Sequence, residues 1–213
     1  MRFIGITGGV GAGKSAILSY LAEKPKTRVM LADEIAHELM EPGTDCYRQI
    51  VKKFAGEDIF VNIEASEFPE NDTENRPFDK GKLAQVIFSN SKKREEMNAI
   101  VHPAVKEYVR KQYVKEQEKH QLNLLILEAA LLIEEEYDEI CDELWYIYTS
   151  EENRRMRLKE SRGYSDEKID SIFQSQLSEA EFRASTQVTI DNNGDLVETM
   201  KQIEKALRRK ADE

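Results

Sequence analysis

A glycine-rich turn set between a short apolar run and a helix-forming segment constrains this chain more than any other feature. Arg2 to Thr7, "RFIGIT", is apolar enough for a buried strand. It runs straight into "GGVGAGKS", Gly8 to Ser15, and then into Ser15 to Glu23, where Ile17, Leu18 and Leu21 share one helical side. Strand, glycine turn and helix in that order form one unit of an alternating α/β architecture. The glycines let the backbone bend tightly and turn its amide N–H groups inward, and the helix start adds positive potential, so the turn is built to hold phosphate.

Two phosphate-binding patterns overlap in these residues. Gly8 to Ser15 reads G-x-x-x-x-G-K-S, whereas Gly11 to Ala16 reads G-x-G-x-x-A with Asp33 at a ribose-binding distance downstream. Lys14 separates them. In the first pattern a lysine reaches the β- and γ-phosphates and Ser15 offers a hydroxyl to Mg²⁺. A dinucleotide site has no use for a lysine in the first helical turn. The chain is therefore expected to bind a nucleoside triphosphate. There is no guanine-reading N-K-x-D after the loop, which turns the reading from a switch toward a small-molecule kinase.

Composition narrows the setting. The 213 residues suit one domain with a subdomain, and a formal net charge of −10 argues against broad nucleic-acid binding. Cys46 and Cys141 stand far apart in no metal or redox pattern, as reduced thiols do. The first residues open on the strand without a charged leader. The longest apolar stretch, Leu122 to Ile133, is broken by Glu128 and too short to span a bilayer. The expectation is a cytoplasmic protein, off the membrane, acting as a monomer or small homo-oligomer.

Further strands are expected at Arg28 to Ala32, Leu122 to Leu127, Glu143 to Tyr148 and "QVTI", Gln187 to Ile190. Helical patterns fill Glu34 to Lys119, Glu151 to Ser185 and Leu196 to Lys210. The fold class this predicts is α/β, with a central five-stranded parallel sheet covered on both faces and an inserted helical region. Asn62 to Asn75 is polar, acidic and without period, and reads as a surface loop.

Three further sites carry chemistry. Asp33, just past the second strand, is placed either to accept a proton from a substrate hydroxyl or to cap the helix from Glu34 to Met40. Glu128, ending the third strand, is either a carboxylate for Mg²⁺ or a solvent-facing acid. "ENRRMRLKESRG", Glu152 to Gly163, is the densest basic cluster in an acidic chain. Arg154 and Arg157 lie one helical turn apart there, so an arginine can face phosphate while others face water.

With these residues assembled, the chain resembles the dephospho-CoA kinases from end to end. The matching segments are "ITGGVGAGKS", "LADEIAHELMEPGT", "RPFDKGKLAQVIFSN", "AIVHPAV", "EAALLIE", "RRMRL" and "VTIDNNGDL". The resemblance implies a P-loop NTPase-like three-layer fold and transfer of the ATP γ-phosphate to the ribose 3′-hydroxyl of dephospho-CoA, with Mg²⁺, in the last step of CoA synthesis. It implies a discontinuous core, 1–33 and 120–213, a helical CoA-binding region over 34–119, and a lid over 151–185. Thr7, Gly8, Gly9, Gly11, Ala12, Gly13, Lys14, Ser15 and Ala16 would hold the ATP phosphates, with Ser15 and Glu128 toward the metal. Asp33 matches the general base, Arg157 the lid arginine, and Lys14 completes the catalytic set. Asn192, Asn193 and Gly194 match the loop near the adenine, and His102-Pro103 a substrate-side motif. For that pair a proline starting a helix beside a satisfied histidine is the structural alternative.

The chain departs from the family pattern at four places. Leu31 stands for the first acid of D-A-D, and Glu128-Ala129-Ala130 for D-x-P. The lid's Arg-Asp pair falls on Ser161-Arg162, and Ala16 replaces a threonine. Rivals with the same loop are a kinase of another small hydroxyl compound and a non-catalytic ATP- or CoA-binding regulator.

Overall fold

The computed structural model describes residues 1–61 and 76–209. The acidic stretch expected to be a surface loop, Asn62 to Asn75, lies outside them. The described chain divides into two compact units, Met1–Leu31 with the residues from Tyr113 onward, and Ala32–Gln112.

In the first unit the strands are β1 (Arg2–Thr7), β2 (Thr27–Leu31), β3 (Leu124–Glu128), β4 (Glu143–Tyr148) and β5 (Val188–Asp191). They form one sheet in the order β2-β3-β1-β4-β5, and every pairing is parallel. Each central strand is a continuous apolar run because a parallel sheet is buried on both faces. On β1 the faces alternate. Ile4 and Ile6 join Ile17, Leu21, Ile126, Trp145, Ile147 and Ile203 in one fully buried cluster. Phe3 points the other way and stacks on Tyr113 with ring centroids 5.0 Å apart.

Around the sheet stand α1 (Lys14–Ala22), α6 (Glu151–Arg162), α7 (Asp166–Gln174), α8 (Glu179–Ala184) and α9 (Leu196–Arg208). The second unit holds α2 (Ala32–Leu39), α3 (Asp45–Lys53), α4 (Lys80–Phe88) and most of α5 (Ser91–Lys119), which continues into the first. In the second unit Tyr47, Ile50, Ile59 and Leu83 are buried, and the Phe78 ring packs tilted against Tyr47 with centroids 4.7 Å apart. Pro103 lies inside the 29-residue α5. The alternative in which it starts a helix is thereby corrected. A proline removes one backbone hydrogen bond, and the residues on either side hold the remaining ladder.

The α/β reading and the five parallel strands match this architecture. β2 begins and ends one residue earlier than expected, because α2 takes Ala32 as its first residue. From β1 the chain passes over β3 to reach β2 at one edge, and later winds through β4 to β5 at the other. The glycine turn thus leaves the carboxyl end of the strand where the two windings part, the usual place for a ligand crevice in such sheets.

Candidate active site

The phosphate loop is shaped by its own backbone and by what packs behind it. Gly13 is the cap residue of α1, with φ of 83°, a left-handed conformation that glycine adopts without strain. No side chain caps α1, whereas a threonine, serine or aspartate hydroxyl or carboxylate caps each of α3, α4, α6, α7, α8 and α9. The start of α1 thus lacks the side-chain acceptor that caps those helices, and a helix start favours an anion. Gly9 stands against a side chain. A Cβ there would stand 2.6 Å from both terminal nitrogens of Arg154.

Lys14 Nζ donates to the Gly8 carbonyl at 2.7 Å and lies 3.6 Å from Glu128 Oε1. The Glu128 position follows from strand register, because β3 pairs it with Ile6 on one side and Leu31 on the other. Glu128 is therefore not the solvent-facing acid of the bland alternative; it is a half-buried carboxylate facing the loop lysine. Thr7, ending β1, is fully buried, and among the described residues its Oγ1 has no hydrogen-bond partner. A buried hydroxyl without a partner is rare enough to need a reason. Ser15 and Ala16 are exposed on the first turn of α1.

Behind the loop, one carbonyl gathers three donors. Ala12 O accepts from Asn192 Nδ2 at 2.7 Å, Thr149 Oγ1 at 3.1 Å and Arg157 Nη1 at 3.4 Å. Arg157 Nη2 also donates to the Asn192 carbonyl at 2.8 Å. Asn192 is buried, and its Oδ1 accepts from Thr199 Oγ1 at 3.0 Å. Both ends of this amide are thus occupied inside the protein. Asn193 Oδ1 accepts from the Ser150 amide at 2.8 Å and from Asn153 Nδ2 at 2.9 Å, so this residue ties the β5–α9 turn to the start of α6. Gly194 is exposed, with nothing within 4 Å of where a Cβ would stand.

Arg154, the neighbour of Arg157 one turn earlier, is buried. Its Nε donates to the Val10 carbonyl at 2.9 Å, and Nη2 to Gln176 Oε1 at 2.6 Å. Burial pushes its pKa down from the ordinary arginine value. Ser161 turns back to the Arg157 carbonyl at 2.6 Å, while Arg162 lies over the Tyr164 ring, 5.9 Å from its centroid. Arg155 and Lys159 pair with Asp166, knitting α6 to α7 at the surface.

Asp33 lies in the second unit, exposed in the first turn of α2 and two residues past the end of β2. It stands inside that helix, so the cap position offered as its alternative is not where it sits. His102 is half-buried and Pro103 exposed on α5. Thr149 and Gln176 were not legible as site residues. They are single polar side chains without a spacing signal, and only the packing brings them to the loop.

A family model described as dephospho-CoA kinase matches residues 2–198. The chain belongs to the dephospho-CoA kinase family. The dephospho-CoA kinase of Shouchella clausii is 31% identical over 210 residues, covering 99% of each chain. That of Oceanobacillus iheyensis is 33% identical over 209 residues, covering 97% of this chain and 96% of the other. A solved Thermus thermophilus structure shares the fold, with a TM-score of 0.73, 23% identity and coverage of 97% and 95%. The glycine-rich loop Gly8–Ser15 follows β1, the central strand of the sheet. No described helix is long and apolar enough to cross a membrane.

Proposed function

We propose that this kinase transfers the γ-phosphoryl group of ATP to the ribose 3′-hydroxyl of dephospho-CoA. The observation that carries it is the arrangement of Lys14. Its ammonium is fixed 2.7 Å from the Gly8 carbonyl and 3.6 Å from Glu128, over the uncapped start of α1, in a chain of this family. That is a preorganised cation beside a helix start, which is what a migrating phosphoryl group needs. The unpartnered Thr7 hydroxyl at the base of the loop adds a donor.

The residues present also fit Mg²⁺. Ser15 offers an exposed hydroxyl on the first turn of α1, and Glu128 a carboxylate close by Lys14. Among the described residues no group of three or more His, Cys, Asp or Glu converges to hold a metal unaided. This suits Mg²⁺, which is commonly held by one or two protein oxygens, water and nucleotide phosphates. Bound there, the ion would neutralise charge on the phosphoryl oxygens.

In the transfer, the ribose oxygen forms a bond to the γ-phosphorus, the bond to the ADP oxygen breaks, and Asp33 takes the hydroxyl proton. Arg157 meets the developing charge by releasing the Asn192 carbonyl it now holds. The helical second unit, with His102 and Pro103, receives the acceptor, and α6 to α8 act as the lid that excludes water. The enzyme works in the cytoplasm as a monomer or small homo-oligomer.

The test is ADP release from MgATP with and without dephospho-CoA, with the product identified by mass. Stimulation by dephospho-CoA, a 3′-phosphorylated product and a loss of about 10²–10⁴ in Asp33→Asn are expected. ATP binding with no product from dephospho-CoA would overturn the acceptor assignment.

A further inference from the structure

Val10 is held at both of its backbone polar groups by side chains from elsewhere in the first unit. Arg154 Nε donates to its carbonyl at 2.9 Å, while its amide donates to Gln176 Oε1 at 3.3 Å. The same Oε1 accepts from Arg154 Nη2 at 2.6 Å, closing a ring through α6, the turn between α7 and α8, and the phosphate loop. Phe173 of α7 covers the guanidinium, 4.2 Å from ring centroid to Cζ.

Arg154 is only 8% exposed, and among the described residues no carboxylate forms an ion pair with it. A buried arginine facing neutral acceptors is expensive to desolvate. The loop accommodates it all the same. Gly9 lacks the Cβ that would stand 2.6 Å from its terminal nitrogens. The loop pattern G-x-x-x-x-G-K-S leaves that position open, and here the space a side chain would take holds the Arg154 guanidinium.

We propose that Arg154 and Gln176 are a positioning pair for the reaction: they set the phosphate loop at Val10 from the α6–α8 segment, so that grip on the nucleotide depends on how that segment is packed. The inference rests on the reading of Gly8–Ser15 as the ATP phosphate site. Neither side chain has to touch the nucleotide. A guanidinium fork supplies two directed donors at once, one to the loop and one to Gln176, which an ammonium cannot reproduce. The positive charge beside the loop also favours an anion bound there.

The experiment compares the whole chain with Arg154→Lys, Gln176→Ala and the Arg154→Lys/Gln176→Ala double variant. ATP affinity is measured by direct titration, KM for ATP and for dephospho-CoA by kinetics, and exchange of the Val10 amide by hydrogen–deuterium exchange. Gln176→Ala should weaken ATP binding about tenfold, as expected when a hydrogen bond to a charged group is lost. KM for dephospho-CoA should stay within about twofold, and Val10 exchange should accelerate. Arg154→Lys should fail to rescue, and the double variant should be no worse than the weaker single one, because both remove one ring. Unchanged ATP affinity in Gln176→Ala, unchanged Val10 exchange, or losses that multiply independently would each overturn the proposal. If the unmodified chain binds ATP but does not phosphorylate dephospho-CoA, the acceptor assignment fails while the titration still decides the clasp. If it does not bind ATP, both fall.

Discussion

Replacing Asn192 by alanine should destabilise the fold before it disturbs chemistry. The side chain makes two buried hydrogen bonds, donating to Ala12 O at 2.7 Å and accepting from Thr199 Oγ1 at 3.0 Å. A net contribution of about 1 kcal/mol each gives about 2 kcal/mol. Little is left stranded. Ala12 O keeps Thr149 and Arg157 as donors, and the Thr199 hydroxyl keeps the Asp191 and Asp195 carbonyls at 3.3 Å. For a chain of this length each kcal/mol lowers the melting midpoint by about 2–4 °C, so a fall of about 4–8 °C is expected. The assay is thermal melting together with urea unfolding, in which the midpoint should move and the slope should not. Thr199→Val should cost about 1 kcal/mol, and the double variant should fall short of the sum, because the two residues share a bond. A melt within about 1 °C of the unmodified protein, with KM for ATP raised, would refute the reasoning. It would mean that the Asn192 amide serves the nucleotide and not the loop carbonyl.

Gly194→Ala separates the neighbouring roles. The position is exposed with open space around it, so stability should be unchanged, and a raised KM for ATP would place the adenine beside this turn. Glu116 gives a pH test. Hydrogen bonds from Lys119 and then the Arg28 charge hold its carboxyl below its ordinary value of 4.5. A lowered folded-state value means that its stabilisation is present above 4.5 and is lost as pH falls through the folded value. The melting difference between the unmodified chain and Glu116→Gln should therefore shrink between about pH 6 and about pH 3. A difference that holds constant over that range would show that the pairs contribute nothing through this charge.

Much of the fold was legible because burial on both sheet faces writes strands as apolar runs. "RFIGIT" and "ELWYIY" read as strands and are strands with the boundaries expected. Lys14 chose the triphosphate reading because a charge in the first helical turn has a chemical meaning wherever the helix later packs. Less was legible where local patterns are silent. Periodicity says that Leu122 to Leu127 is a strand, but not that it lies between β1 and β2. The two readings of Glu128 stayed open until register set it opposite Ile6 and 3.6 Å from Lys14. Arg154 and Arg157 looked alike in the sequence. Packing buried one against Val10 and sent the other to Ala12 and Asn192.

The sequence by itself determined the strand–loop–helix unit, the triphosphate chemistry and the family, because these reside in residues a few positions apart whose spacing is fixed by the backbone. Only the tertiary structure decided which side chains hold the phosphate loop. Asn192 reaches Ala12 across 180 residues and Arg154 reaches Val10 across 144. A hydrogen bond closed over such a separation leaves no periodic trace in the chain, since it is made by the winding of the sheet.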